Sequence, residues 1–311
     1  MVRSDAIARR GGFPVMADDE PSALEIFEAA RPRLWGLAYR MLGSAADADD
    51  AVQDIYLRWQ SAAGPAIETP EAWLTTACTR RCIDLMRGAQ RARVDYVGPW
   101  LPEPLLGDQG QEAKDPVELA SSLSMAFLLL LERLGPSERA AYLLHDVFDY
   151  DYAELAGVLD KSPAACRQLV SRARKRVGKA EARFAPEPDR QARLLDGFLA
   201  ALRSGELKQL EALLAEDVAL WTDGGGKVLA FTEVVEGAAA TAEALALVWR
   251  EAGSGYEFRP AEVNGAPGLM LWEAGALVGV LSLSIAQSGR IAGIYVVRNP
   301  DKLVRCVGLK S

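Results

Sequence analysis

Histidine is almost missing from this chain of 311 residues, with His145 the only one. It falls in a stretch that reads as helix in the middle of the chain, so acid/base work in the final third cannot use an imidazole. Cysteine is nearly as scarce. Cys78, Cys82, Cys166 and Cys306 form no two close pairs of the kind that hold zinc. Cys78 and Cys82 share an apolar helical face with Leu74 and Leu85, and all four read as reduced core thiols of a cytosolic protein. No metal or cofactor is called for. No apolar run reaches the roughly 18 residues that cross a bilayer. Residues 1–20 lack the apolar centre of a signal peptide and read as a disordered leader, with an upstream start ahead of Met16 as one explanation.

What is present is enough apolar material for cores, 50% of the chain, over a length that implies two or three domains. The net charge of -8 argues against a nucleic-acid partner until its distribution is read. Residues 161–183 hold eight Lys or Arg against the single acid Glu181, and residues 80–93 hold five arginines against the single acid Asp84. Two concentrated basic patches on an acidic chain point to two faces that meet a phosphate backbone, with binding discouraged elsewhere.

Residues 21–95 read as helices. Leu24, Phe27, Leu34, Leu37 and Met41 keep helical spacing, Gly43 stops that helix, and Ala48, Val52, Ile55 and Trp59 begin a second stripe. A third helix from Glu71 to Arg93 is apolar on one side and carries Arg80, Asp84, Arg87 and Arg91 on another. Residues 96–116, with four prolines and three glycines, read as a linker. A second helical domain follows over residues 117–184, opening with a stripe of Leu119, Leu123, Phe127, Leu130 and Leu134. Within it Asp151 with Glu154 forms a capping box and Ser162-Pro163 a second helix start, separated by a tight turn at Asp160-Lys161. That is a helix-turn-helix whose second helix is the stronger basic patch. Residues 190–311 change character, with helices at Gln191–Arg203 and Glu206–Ala215 followed by alternating segments that predict a curved antiparallel sheet, an α+β unit.

The stretch TDGGGKV, Thr222–Val228, resembles a phosphate cradle until its spacing is checked. Trp221 stands where such a loop needs glycine and Val228 where it needs a hydroxyl. On residue physics alone the glycines are a hairpin turn that uses positive φ.

The ordered motifs resemble the extracytoplasmic-function (ECF) sigma factors of RNA polymerase. DADDAVQDIYLRW is similar to their polymerase-binding helix, which implies that Asp49, Asp50, Gln53 and Asp54 contact core RNA polymerase; the carboxylates also suit the helix dipole without any partner. PEAWLTTACTRRCIDLMRGAQR resembles the helix that reads the promoter -10 element, implying roles for Trp73, Arg80, Asp84, Arg87 and Arg91, with Ser61–Pro70 as a base-capturing loop. SPAACRQLVSRARKRV resembles the -35 reading helix, implying DNA contacts from Ser162, Arg167, Gln168, Ser171, Arg172, Arg174 and Lys175. The final third looks like a SnoaL-like, NTF2-type cone. A subgroup with that extension shares WLPEP, DGGGK and NPDKL stretches, here Trp100–Pro104, Asp223–Lys227 and Asn299–Leu303. The resemblance implies that the cone regulates the sigma core in cis, through Trp100, Leu101 and Pro102, through Asp223, Gly224, Gly225, Gly226 and Lys227, and through Asn299, Pro300, Asp301, Lys302 and Leu303. It leaves room for a small-molecule ligand in the cone. Two other functions fit the same parts: a helix-turn-helix regulator that senses a ligand, and a SnoaL-type cyclase or isomerase using carboxylates such as Asp223, Glu233 or Glu273.

Overall fold

The computed structural model describes residues 21–62, 67–92, 95–107, 123–178, 188–252 and 255–308. The leader, Leu119, Arg93, Lys179 and Arg183 lie outside them, as does part of the loop Ser61–Pro70.

Three helices open the chain: α1 (Ala23–Leu42), α2 (Ala45–Ala62) and α3 (Pro70–Ala92). Ser22 caps α1 in a reciprocal box with Glu25, and Gly43, at φ 70°, ends it by donating its N–H to Tyr39. The second helical unit comprises α4 (Met125–Leu131), α5 (Pro136–Tyr142) running into a π-helical turn at Leu143–Val147, α6 (Tyr152–Leu159) and α7 (Pro163–Val177). Asp151 with Glu154 caps α6, Ser162 caps α7, and Asp160 closes the turn between them in the left-handed region, at φ 52°. The two helical units share one continuous core, in which Leu37, Ile55, Leu74 and Cys78 of the first belong to the same buried cluster as Leu131, Tyr142, Leu155 and Val170 of the second.

The C-terminal unit begins with α8 (Pro188–Ser204) and α9 (Leu207–Leu213) and continues through β1 (Leu214–Asp223), β2 (Val235–Glu236), α10 (Ala238–Ala252), β3 (Tyr256–Val263), β4 (Ala266–Glu273), β5 (Ala276–Ile285) and β6 (Ile291–Val297). A short helix α11 (Pro300–Leu303) and a 3-10 turn, Val304–Gly308, follow. The sheet order is β2-β1-β6-β5-β4-β3. It is mixed rather than antiparallel throughout, because β1 and β6 pair in parallel, Leu220 opposite Ile294. Alternation marks strands but not their neighbours, and the chain between β1 and β6 is long enough to return in the same direction. Helix α10 has no counterpart among the sequence expectations: Leu245 faces the core while Leu247 and Val248 face outward, so no single apolar stripe stands out. Phe198, Leu202, Leu271, Leu281 and Ile294 fill the core between helices and sheet. A third buried cluster joins the units, with Leu101 and Leu106 of the linker, Met125 of α4, and Val263, Val280, Tyr295 and Leu303 of the C-terminal unit.

Candidate functional site: nucleic-acid faces and an interdomain clasp

On α2, Asp50 and Gln53 are exposed, whereas Asp49 and Asp54 are half-buried and engaged. Asp49 accepts from Trp35 Nε1 at 2.6 Å and pairs with Arg305 of the C-terminal turn. Asp54 pairs with Arg81 of α3 at 2.6 Å.

The basic side of α3 is partly occupied as well. Arg80 reaches the C-terminal carbonyls of α6, donating Nε to Val158 at 3.0 Å and Nη2 to Gly157 at 3.2 Å. Those carbonyls have no partner within their own helix, so a guanidinium there satisfies the helix end and its dipole. Asp84 and Arg87 form an exposed pair at 3.3 Å. Trp73 is half-buried against Trp59, ring centroids 5.6 Å apart. The side chain of Arg91 lies outside the described residues.

Helix α7 buries Cys166, Leu169, Val170, Ala173 and Val177 and turns Arg167, Gln168, Ser171 and Lys175 outward. The remaining cations lie along its flanks against acids of the same unit. Arg174 grips Asp146, with Nε at 3.0 Å, and Arg172 and Arg176 converge on the buried Glu138 at 3.3 and 2.6 Å. Ser162 spends its hydroxyl on the Ala165 N–H as the helix cap. Arg167 stacks over Tyr152, 5.3 Å from the ring centre. The outward face therefore offers two amide- or guanidinium-bearing side chains at the helix N-terminal end, the geometry suited to base edges in a major groove.

The three motifs of the linker and C-terminal unit converge on one buried carboxylate. Asp223, at the end of β1 and 0% exposed, accepts from Leu101 N (2.8 Å), Tyr96 OH (2.5 Å), Gly225 N (3.0 Å) and Lys302 Nζ (2.6 Å). Lys302 also donates to the Leu101 carbonyl at 2.5 Å and lies 4.1 Å from the centre of the Trp100 ring. Asn299 caps α11 and donates to Tyr96 OH at 3.0 Å. Lys227 pairs with Asp301 at 2.5 Å. Burial, then Asp223, pushes the Tyr96 phenol well above its ordinary pKa, which keeps it a proton donor. Leu303 is buried and Pro300 exposed.

The glycines of DGGGK serve both turn and contact. Gly225 and Gly226 have φ of 60° and 70°. A methyl group on Gly225 would collide with the Asn299 side chain, and one on Gly226 would meet Val97 Cβ of the linker at 3.1 Å. The loop they form opens the wide connection between β1 and its antiparallel neighbour β2, which begins only at Val235.

A second anchor was not foreseen. Glu103, buried beside the buried Pro102, caps the start of α2 by accepting from Ala45 N at 2.7 Å and Ser44 Oγ at 3.2 Å. Tyr39 of α1 donates to the Glu103 carbonyl at 2.6 Å and accepts from Asn264, in the β3–β4 turn, at 2.8 Å. Glu103 lies within the WLPEP stretch; Tyr39, Asn264 and Arg305 carry no local signal. Burial holds the Cys306 thiol nearby at a pKa of about 12, so it is an inert core group.

Inside the C-terminal unit is a cavity of about 440 Å³ lined by Phe198, Leu202, Thr222, Trp249, Phe258, Leu271 and Arg298 among others. Neither Glu233 nor Glu273 lines it, and Asp223 faces the clasp instead. His145 donates its Nδ1–H to the Tyr150 carbonyl at 2.7 Å, far along the chain from this cavity. Among the described residues no group of three or more His, Cys, Asp or Glu could hold a metal, and no helix is long and apolar enough to cross a membrane.

Comparison with known proteins matches residues 26–92 to Sigma-70 region 2 and residues 124–177 to Sigma-70 region 4. The chain is 36% identical over 290 residues to the ECF RNA polymerase sigma factor SigJ of Mycobacterium tuberculosis, covering 89% of this chain and 91% of the relative. It is 31% identical over 282 residues to a probable ECF RNA polymerase sigma factor, SigI, of the same species, covering 89% and 93%. The crystal structure of the Mycobacterium tuberculosis SigJ superposes with a TM-score of 0.71 at 31% identity, over 90% of this chain and 98% of that one.

Proposed function

This chain belongs to the extracytoplasmic-function sigma factors of RNA polymerase, and from that premise we propose a division of labour among its surfaces. As a sigma factor it is a transcription initiation factor and not an enzyme. The exposed Asp50 and Gln53 of α2, with Asp49 and Asp54 once released, contact core polymerase. The basic face of α3 holds the separated -10 strand, and Arg167, Gln168, Ser171 and Lys175 of α7 face the -35 element. The flanking Arg172 and Arg174 brace the second helical unit and reach phosphate at its edges. The work is done in the cytoplasm, on promoter DNA with polymerase.

The C-terminal unit regulates these surfaces in cis. The observation that carries this reading is the Asp223 clasp, in which one buried carboxylate holds the linker at Leu101 and Tyr96 while Arg305 of the same unit covers Asp49 on α2. The two reading helices belong to units that share one core. Elements centred roughly 25 base pairs apart lie about 85 Å apart at ~3.4 Å per step, so the units must separate before both are read. The clasped arrangement is accordingly the resting state, and release of the linker lets the units part.

The test is run-off transcription with core polymerase, comparing the parent with Asp223→Asn and with a chain ending at residue 187, alongside capture of core polymerase. Both changes are expected to raise core binding and alter promoter-directed output. Parental core binding and parental transcription in both would refute control in cis. Arg167→Ala should weaken use of the native -35 element by about 1–3 kcal/mol if it reads a base, with core binding unchanged.

A further inference from the structure

The cavity of the C-terminal unit and the clasp share a wall one residue thick. Thr222 and Arg298 line the cavity, while their chain neighbours Asp223 and Asn299 face the linker. This is the alternation of a strand, which sends successive side chains to opposite faces. The segment Leu229–Phe231 also lines the cavity, and its outer side backs onto the linker, where the Cβ position of Gly98 is 3.5 Å from the Phe231 carbonyl oxygen.

The chemistry of the cavity is lopsided. Its volume of about 440 Å³ lies within the range of small-molecule sites, and its lining is mainly aliphatic and aromatic. Thr222 spends its hydroxyl on the Phe231 N–H at 2.8 Å and the Phe231 carbonyl at 3.3 Å. Arg298 is different. It donates Nη1 to the Leu229 carbonyl at 3.0 Å, points Nε at the Val278 carbonyl at 3.5 Å and lies 5.8 Å from the Tyr256 ring centre. Nη2 is engaged by no protein acceptor among the described residues, and Glu251, the one carboxylate on the lining, is exposed and not paired with it. A guanidinium on an apolar wall is suited to a carboxylate or a similar anionic group. At the mouth, Leu229 is 81% exposed, with Leu247 and Val248 also open to solvent, so apolar surface awaits cover.

We propose that this cavity binds an amphiphilic small molecule with an extended apolar body and one anionic head placed on Arg298, and that its occupancy tightens the hold of the C-terminal unit on the linker. The inference rests on the regulatory reading of the clasp and refines it by naming the class of signal. A molecule in the cavity gives Leu229 and its neighbours a packing partner, which favours the conformation in which that segment also backs onto Gly98. A ligand that prefers the clasped state shifts the population towards it, and clasp and ligand must then strengthen each other equally.

Dodecanoate, kept below its micelle-forming concentration, is the probe, with dodecanol as the uncharged control. Calorimetric titration of the full-length protein should show one saturable dodecanoate site. Dodecanol and the Arg298→Met variant should each bind at least ~10-fold more weakly, a loss of about 1.4 kcal/mol. Val248→Trp, a change at an exposed lining position, should block binding while leaving the melting curve in place. Hydrogen exchange over residues 96–106 should slow with dodecanoate in the parent and not in Val248→Trp, and Asp223→Asn should bind dodecanoate more weakly than the parent. Absence of saturable binding, or binding indifferent to both Arg298→Met and Val248→Trp, overturns the site. Binding with no change in exchange over 96–106 overturns the coupling. Failure of the regulatory reading itself shows separately, in the Asp223→Asn run-off assay without any fatty acid.

Discussion

The molecule has two junctions built on opposite principles. Where the helical units meet, the contact is a continuous apolar core running from Leu37 and Leu74 to Leu155 and Val170. Where the linker meets the C-terminal unit, the centre is a charged pair, Asp223 with Lys302, wrapped in hydrogen bonds to Tyr96, Leu101 and Gly225. Apolar contact is tolerant of small shifts and strengthens with area alone. A buried ion pair is stable only while every partner is in place, since each charge left alone pays for its lost hydration. The apolar junction thus holds in the resting chain and, on the proposed reading, opens only when the units part on polymerase and promoter, whereas the polar one holds until a single change undoes it.

The largest expected effect tests that contrast directly. Asp223→Ala leaves the Lys302 ammonium buried without its carboxylate and should destabilise the clasp by about 3–5 kcal/mol; protease cleavage within residues 96–107 should rise sharply while the helical units melt as before. Unchanged cleavage would mean that the polar centre is incidental. Leu155→Ala should cost roughly 2–4 kcal/mol, and because the core is shared, both helical units should lose stability together in thermal unfolding. Separate transitions, with only the second unit affected, would break the comparison from its apolar side. Gly225→Ala forces a side chain into the left-handed region and against Asn299, for about 1–2 kcal/mol, seen as faster exchange at the Leu101 amide. The smallest effect is a pH dependence. The Tyr96 pKa is raised in the folded state, so its contribution is fully present below the ordinary tyrosine value of about 10 and fades as pH rises through the higher folded value. Linker exchange, corrected for its intrinsic rate, should be level from about pH 7 to 9 and rise in stronger alkali, whereas Tyr96→Phe should show a higher baseline and no such rise.

What could be foreseen divides along the same line. The caps at Asp151 and Ser162 and the helix end at Gly43 involve residues within four positions of each other, and local chemistry determines them. The motif stretches around Leu101, Asp223 and Lys302 were visible as a group only through the family resemblance, which carried no geometry. Nothing in the residues themselves marked Tyr96, 127 positions from Asp223, or Asn264, 225 positions from Tyr39. The role of Arg80 at the end of α6 was hidden for the same reason, and its charge alone suggested a different partner. In the C-terminal unit the alternation of β4, β5 and β6 was plain, while the parallel neighbour of β1 depends on how a long intervening chain returns.

The reach of the Asp223 clasp along the chain also sets a clock. Its carboxylate is synthesised 127 residues after the Tyr96 that donates to it. At ~5–20 residues per second that interval is about 6–25 s. During those seconds all three helices of the first unit exist while the C-terminal unit that would fasten the linker is unfinished. If α2 contacts polymerase as proposed, a nascent chain therefore passes through an interval in which that helix is open without Arg305 laid across it. On the proposed control in cis, each round of translation opens a brief window for engagement that closes as the last strands fold, and the pace of synthesis then sets how many molecules begin life unclasped.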